Sequence, residues 1–141
     1  MHVLMKRLIL FTVLIFAISL THGQNLQKGN LVGTHVMTVT LQPGVTMDQF
    51  MEVFKSKVLP VYNIDPDWNV YLVKSIRGNV SKDSFGLIHI VKSDQVRDRF
   101  YNIDGSRTEL GKSWSEKLKP IMEELKKYGT YTTTWSDWIV Q

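Results

Sequence analysis

The sequence contains no cysteine among its 141 residues. This absence excludes disulfide bonds, thiolate metal ligands, a cysteine nucleophile and a lipid-modified cysteine. A chain of this length without disulfides must be held together by packing of its apolar side chains, with oligomerisation as a further source of stability.

Sequence motifs for nucleotides and common cofactors are also missing. There is no glycine-rich phosphate loop and no dinucleotide-binding fingerprint. Nothing resembles the nucleophile elbow of a Ser-His-Asp hydrolase. We therefore expect no cofactor, and no catalytic machinery of these kinds.

The first 23 residues have the pattern of a secretory signal peptide. Lys6 and Arg7 precede an apolar run from Leu8 to Leu20, which is too short to span a bilayer. Small residues then precede Gln24, where cleavage is expected. The alternative is an N-terminal membrane anchor. The cleaved signal predicts a protein exported to the periplasm or secreted, with no membrane attachment after processing.

The remaining chain is close to charge balance. Removal of Lys6 and Arg7 lowers the formal net charge from +4 to +2, so the charge gives no support to nucleic-acid binding. The length that remains is that of one domain. We assign residues 24–33 to a polar lead-in and residues 34–141 to a single folded domain.

The first half of this domain predicts a strand and a helix. Residues 35–41 alternate apolar and polar side chains, as in a half-buried strand. Thr46 and Gln49 form a capping box that begins a helix with apolar residues at helical spacing. Pro60 is expected to disturb the last turns of that helix.

The second half predicts two strands, a helical region and a last strand. The strands cover residues 68–78 and 84–93, and residues 130–140 form the last strand. Between them, a short helix begins at Ser93. Ser106 and Glu109 predict the capping box of a long helix, with a kink or break at Pro120 and Gly129 as its C-terminal cap.

The order β-α-β-β-α-β predicts an α+β, ferredoxin-like fold. In this arrangement a four-stranded antiparallel sheet carries both helices on one face. The third strand, SFGLIHIVKS, is apolar on both sides, although the helices can cover only one of them. We therefore expect a second copy of the chain to cover the other face, giving a homodimer. The alternative is that residues 102–112 fold over that face.

The whole domain resembles the dimeric α/β-barrel superfamily, in which two ferredoxin-like sheets face each other. The resemblance lies in LQPGVTMDQFMEVFKSKVLPVY, VYLVKSIRG, FGLIHIVKSDQVRDRF and TYTTTWSDWIV. These segments are similar to small exported bacterial members of the superfamily. The resemblance implies kinship with cofactor-independent monooxygenases of aromatic or polyketide-like substrates, with haem-degrading enzymes, and with members that only bind or assemble.

His89, in the middle of the third strand, is the candidate catalytic residue. It is a weak candidate: we favour a hydrogen-bonded structural histidine, with a ligand contact as the next alternative. A symmetric hairpin would place Tyr71 and Arg77 on its face, which suits a cavity. We expect the first and third strands to be parallel neighbours, so that His35 and His89 do not meet. No metal site is therefore expected.

The ligand-binding residues expected on this basis are His89, Tyr71, Thr38, Thr40 and Trp135. Thr38 and Thr40 oppose the apolar face of their strand, so they should point into the barrel between the sheets. The hydroxyls and aromatic rings there would suit a planar, mostly apolar molecule. The alternative for Trp135 and Trp138 is packing between subunits. The first strand lacks the Asn found in related enzymes, which argues against direct transfer of their mechanism.

Three functions stay open at this point. The leading hypothesis is an exported homodimer that binds a small hydrophobic or aromatic ligand between its sheets. The second is a cofactor-independent monooxygenase-like enzyme in which His89 handles the proton. The third is a structural assembly module without catalysis.

Overall fold

The structure, a computed structural model, describes residues 26–141. The expected signal peptide, residues 1–23, lies outside the described residues. Within residues 26–141 no helix combines the length and apolar character needed to cross a bilayer.

Within residues 26–141, four strands and four helices follow one another in the order expected from the sequence. The strands form one antiparallel sheet in the order β2-β3-β1-β4. This arrangement confirms the predicted α+β, ferredoxin-like fold. The strands are β1 (Leu31–Leu41), β2 (Trp68–Val73), β3 (Ser84–Val91) and β4 (Gly129–Ile139), and the helices are α1 (Met47–Val53), α2 (Leu59–Tyr62), α3 (Asp94–Arg97) and α4 (Glu109–Leu125).

The strand bounds differ most from the prediction at two ends. β1 begins at Leu31, inside the segment assigned to the lead-in, because β4 pairs with its full length from Leu31↔Ile139 onward. β2 ends at Val73, which pairs with Gly86. The chain then leaves the sheet for an exposed loop in which Gly78 adopts a positive φ of 99°.

The first helix begins as its sequence indicates, and its regular α-helical part ends at Val53, ahead of Pro60. The Thr46 side chain accepts from the Gln49 N–H, and the Gln49 side chain accepts from the Thr46 N–H, which confirms the capping box. The helix then widens into a π-helical turn, Phe54–Val58, in which the Leu59 N–H bonds to the Phe54 carbonyl. Pro60 explains the widening, since proline has no N–H and its ring displaces the carbonyl four residues earlier.

The predictions for the long helix α4 were partly wrong. Its N-cap is Thr108, whose hydroxyl accepts from the Gly111 N–H at 3.1 Å, and Ser106 instead bonds Asn102 in the preceding turn. The helix also continues through Pro120 without a break. Tertiary packing of the apolar stripe of α4 outweighs the hydrogen bond that proline removes.

Gly129 is not a helix cap, as the sequence suggested, but the first residue of β4. A Cβ atom there would lie 2.7 Å from the Thr40 carbonyl oxygen. Glycine is therefore needed because the backbones of β1 and β4 approach closely at this point.

The helices pack on one side of the sheet, which we call the helix-bearing face. Odd-numbered residues of β1, β3 and β4 and even-numbered residues of β2 point to it. Its core contains Met37, Val39, Phe85 and Leu87 from the strands and Phe50, Phe54, Val58, Leu118 and Leu125 from the helices. Burial of these side chains is the main source of stability.

The other side, which we call the open face, consists of the alternate strand residues. None of them is charged: Val32, Thr34, Val36, Thr38, Thr40, Asn69, Tyr71, Val73, Ser84, Gly86, Ile88, Ile90, Thr130, Thr132, Thr134, Ser136 and Trp138. Trp138 is 62% exposed and Tyr71 is 44% exposed. Charged residues make up 21% of the sequence, so a surface of this size without any is unlike a solvated one.

Candidate functional site

A pocket of about 300 Å³ lies on the helix-bearing face, at the end of the sheet where β1 begins and β4 ends. It lies on the opposite side of the sheet from the open face, whereas the sequence led us to expect the ligand between the open faces of two subunits. The pocket is lined by Leu31, Gly33, His35, Trp68, His89, Val91, Arg97, Tyr101, Gly105, Trp114, Trp135 and Asp137. A volume of this size accommodates a small organic molecule.

Strand register assembles the floor of this pocket. Gly33 pairs with His89 on one side and with Asp137 on the other, so the three residues form one row across the sheet. A Cβ atom on Gly33 would lie 3.0 Å from Asp137 Oδ1 and 3.2 Å from His89 Cβ. The missing side chain therefore gives the two flanking side chains room above the sheet.

The two histidines of the described chain meet in this pocket. The rings of His35 and His89 stack, with centroids 4.3 Å apart and an angle of 30° between their planes. The expectation that they would stay apart was wrong. It assumed parallel strands, whereas β1 and β3 are antiparallel and pair His35 with Leu87, two residues from His89 on the same face.

His89 is buried and neutral. Its side chain is 5% exposed, and the Trp68 indole N–H donates to its Nδ1 at 3.1 Å. Its Nε2 has no hydrogen-bond partner among residues 26–141. Burial, and secondly the neighbouring charge of His35 when protonated, lowers the pKa of His89 from 6.5 to about 3.

His35 is more accessible than His89 and has an acidic neighbour. Burial lowers the pKa of His35, while the negative charge of Asp137 acts in the opposite direction. The ring is therefore neutral at neutral pH, so it can accept a proton. The Asp137 carboxylate would then stabilise the imidazolium.

Aromatic side chains form the walls of the pocket. Trp68, Tyr101, Trp114 and Trp135 reach it from four different parts of the chain. The Trp114 indole N–H donates to the Val61 carbonyl at 2.9 Å, so its plane is held in place by a hydrogen bond. Trp135, in contrast, is 65% exposed and lies on β4, an edge strand of the sheet.

One cationic side chain reaches the pocket from the short helix α3. The Arg97 guanidinium lies 5.6 Å from the ring centre of Tyr101 and 3.6 Å from the Asp98 carboxylate. Arg97 and Asp137 give the otherwise aromatic cavity one group of each charge. A bound molecule could use either of them to set its orientation.

The residues predicted as ligand contacts divide between the two faces. His89 and Trp135 line the pocket. Thr38 and Thr40 lie on the open face, as expected from the alternation of β1. Tyr71 lies on that face as well, because it pairs with Ile88, so it does not share a face with His89. Arg77 follows the end of β2 in an exposed loop.

Sequence reasoning did not assign His35, Trp68, Arg97 or Asp137 to the site. An antiparallel register between the first and third strands would have revealed the histidine pair. In the part of the chain that the structure describes, no three His, Asp or Glu side chains cluster closely enough to bind a metal ion.

Segment 102–112, the alternative cover for the open face, lies on the helix-bearing side instead. Gly105 lines the pocket, and Tyr101 pairs with Arg107 at the base of the turn. This segment therefore does not cover the open face.

Of three comparisons with known proteins, only the one with solved structures found similar chains. No family model matches the sequence, and no curated protein matches it. Two structures of SnoaB, a cofactor-independent oxygenase from Streptomyces nogalater, are similar in chain path. A mutant of SnoaB is 14% identical with a TM-score of 0.46, and SnoaB itself is 11% identical with a TM-score of 0.43. Each match covers 77% of this chain and 91% of the other.

Proposed function

We propose that the protein binds a small, planar aromatic molecule in the pocket of the helix-bearing face. The observation that carries this proposal is a cavity of about 300 Å³ whose walls are four aromatic side chains and a pair of stacked histidines. Aromatic walls favour a flat apolar ligand, since ring stacking adds to the free energy gained by burial. Arg97 and Asp137 supply polar contacts at fixed positions.

The four tryptophans allow a direct test of this proposal with 2-naphthol as the probe. Trp68, Trp114 and Trp135 line the pocket, whereas Trp138 lies on the open face. In ¹H–¹⁵N spectra, saturable binding should shift the three pocket indole signals and leave that of Trp138 in place. Absence of any shift, or a shift restricted to Trp138, would contradict the proposal. Cyclohexanol, which is not aromatic, is the control compound.

A second candidate function is proton transfer from the bound molecule to His35. This ring lines the pocket, is neutral at neutral pH and has Asp137 nearby to stabilise its protonated form. His89 suits this role less well, because its Nδ1 is already hydrogen-bonded and its pKa lies far below neutrality. A cofactor-independent monooxygenase acting on phenols would be one such enzyme.

This second function predicts that His35→Gln lowers turnover of phenolic substrates by roughly 100-fold or more. Oxygen consumption and substrate absorbance would be followed together, so that oxygenation is distinguished from simple proton exchange. Asp137→Asn should give a smaller loss. Equal rates for the His35→Gln variant and the unmodified protein would exclude His35 as the base.

The open face supports the proposal of a homodimer. Four strands about 4.8 Å apart, with some eight residues each, present a surface of about 500 Å². The strand residues of this surface carry no charge, and an isologous contact would cover it on both copies at once. Light scattering over a dilution series would detect the dimer. A stable monomer at micromolar concentration would contradict it.

Export of the protein is also part of the proposal. It rests on the sequence of residues 1–23 alone: a basic start, an apolar run and a small residue before Gln24. Mass spectrometry of protein from the culture medium, the periplasm and the cytoplasm would test it. Recovery of an intact chain starting at Met1 from the cytoplasm would contradict it.

A further inference from the structure

The contact between Trp68 and His89 has a consequence for the protonation of the pocket. An indole has only one polar hydrogen and no acceptor, so Trp68 Nε1 acts solely as a donor. The 3.1 Å contact to His89 Nδ1 therefore requires that this nitrogen carries no proton. In a neutral imidazole the remaining proton must then lie on Nε2.

We propose that Trp68 is a positioning residue that holds His89 as its neutral Nε2–H tautomer, and so leaves His35 as the imidazole that exchanges protons in the pocket. This inference rests on the proposed ligand pocket and deepens it. It assigns different tasks to two histidines whose rings are in contact. His89 stays neutral in a fixed tautomer, and His35, stacked on it, gains and loses the proton.

The packing around His89 supports this assignment. Tyr62 meets the ring edge to face with centroids 5.8 Å apart, and His35 covers one side of it. Nε2 is buried without a hydrogen-bond partner among the described residues. A proton on the buried, unpaired Nε2 costs free energy. The hydrogen bond that Nδ1 accepts from Trp68 offsets this cost and therefore favours the Nε2–H tautomer.

The charged and titratable groups near the pair come from every element around it. Asp137 on β4 acts on His35, Tyr62 on α2 faces His89, and Arg97 on α3 and Tyr101 after it line the same cavity. Of these, the negative charge of Asp137 raises the pKa of His35, against the larger effect of burial. When the pair takes up a proton, we therefore expect it on His35, the histidine whose pKa Asp137 raises.

The stack itself also separates the two roles. Two imidazoles with centroids 4.3 Å apart repel each other when both are protonated, so at most one ring carries a charge under ordinary conditions. The hydrogen bond from Trp68 stabilises the neutral form of His89 in particular. His35, which lacks such a donor among the hydrogen bonds described for residues 26–141, is then the ring that accepts the proton.

The test is imidazole ¹⁵N NMR on the unmodified protein, with Trp68→Phe and Trp114→Phe as variants. In the unmodified protein, His89 should show an unprotonated Nδ1, a protonated Nε2 and a scalar coupling between Nδ1 and the Trp68 indole nitrogen. Trp68→Phe should abolish the coupling, produce a mixture of tautomers and shift the titration of His89 to higher pH. Trp114→Phe is the matched control: it removes another indole N–H from the same pocket, and should leave His89 unchanged.

Two results would overturn the inference. One is a protonated Nδ1 on His89 in the unmodified protein, a measurement that needs no variant to fold. The other is a folded Trp68→Phe protein in which the tautomer and titration of His89 are unchanged. Because neither measurement involves a ligand, failure here is distinguishable from failure of 2-naphthol to bind, which would instead contradict the proposed function.

Discussion

The two faces of the sheet are built from alternate residues of the same four strands, yet they differ in their charged residues and in their packing against the helices. The helix-bearing face contains the buried core at one end and a pocket with histidines and charged groups at the other. The open face has no charged strand residue at all. Neighbouring residues of one strand therefore belong to different surfaces: His89 lines the pocket, and Ile90 lies on the open face.

Trp135 and Trp138 show this difference on a single strand. They are 65% and 62% exposed, so exposure does not distinguish them. Register does: Trp135 pairs with His35 and lines the pocket, and Trp138 pairs with Val32 on the open face. In our proposal, the exposed ring of Trp135 contacts the ligand, and the exposed ring of Trp138 contacts the partner subunit.

The largest effect is expected for removal of a core side chain from the helix-bearing face. Phe54 is fully buried and contacts Phe50, Phe85 and Tyr131. Phe54→Ala should lower the free energy of unfolding by about 3–5 kcal/mol, because it leaves a cavity as well as losing buried area. Urea denaturation measures the change, and Ile103→Ala, at a fully exposed position, is the control. A loss below about 1 kcal/mol would mean that the core closes around the cavity.

A charge on the open face should have the next largest effect, on association rather than folding. Ile88→Glu would place an unpaired carboxylate in the proposed dimer interface, once from each copy. We expect the dissociation constant of the dimer to rise by roughly 100-fold or more. Light scattering would measure it, with Leu110→Glu on α4 as the control. An unchanged dimer would place the interface elsewhere.

The stability of the pocket end should depend on pH through His89. Its pKa is lowered from 6.5 to about 3 on folding, so between these values the unfolded chain binds a proton that the folded chain does not. The free energy of unfolding should therefore fall as the pH falls below about 6, by about 1 kcal/mol per pH unit from this group. Urea denaturation at pH 7, 6 and 5 measures the slope.

The His89→Gln variant separates this contribution from that of the carboxylates. Its unfolding free energy should depend less steeply on pH than that of the unmodified protein over the same range. Identical slopes would show that His89 is not protonated differently in the two states.

The smallest effect concerns the two exposed tryptophans. Trp135→Ala should weaken 2-naphthol binding roughly 2- to 10-fold, the loss expected for one stacking contact at the mouth of the pocket. Trp138→Ala should leave ligand affinity unchanged and weaken the dimer instead. Calorimetric titration and light scattering on both variants would measure the two properties. Equal effects of the two variants on ligand affinity would remove the distinction between the faces.

Much of the fold could be predicted because its signals are local. The order of elements, the Thr46 capping box and the alternation of β1 depend on residues close together in sequence. The errors were at element ends. Thr108 in place of Ser106 as N-cap, and Gly129 as a strand residue, reflect contacts with distant parts of the chain.

The site could be predicted only in part, because it depends on register. His89 and Trp135 were identified as candidates, but Tyr71 was placed on the wrong face by an assumed hairpin register. A shift of one residue moves every side chain of a strand to the opposite face. The stacked pair with His35 was missed for the related reason that the strand direction was taken to be parallel.

The sequence by itself determined the composition of the two surfaces. It set the absence of cysteine, the α+β order of elements, and the apolar character of both sides of β3, which together require a packed core. Only the tertiary structure decided that Gly33, His35, His89 and Asp137 share one end of the helix-bearing face. The physical reason is that hydrogen bonds between strands, which join residues far apart in sequence, fix which side chains become neighbours.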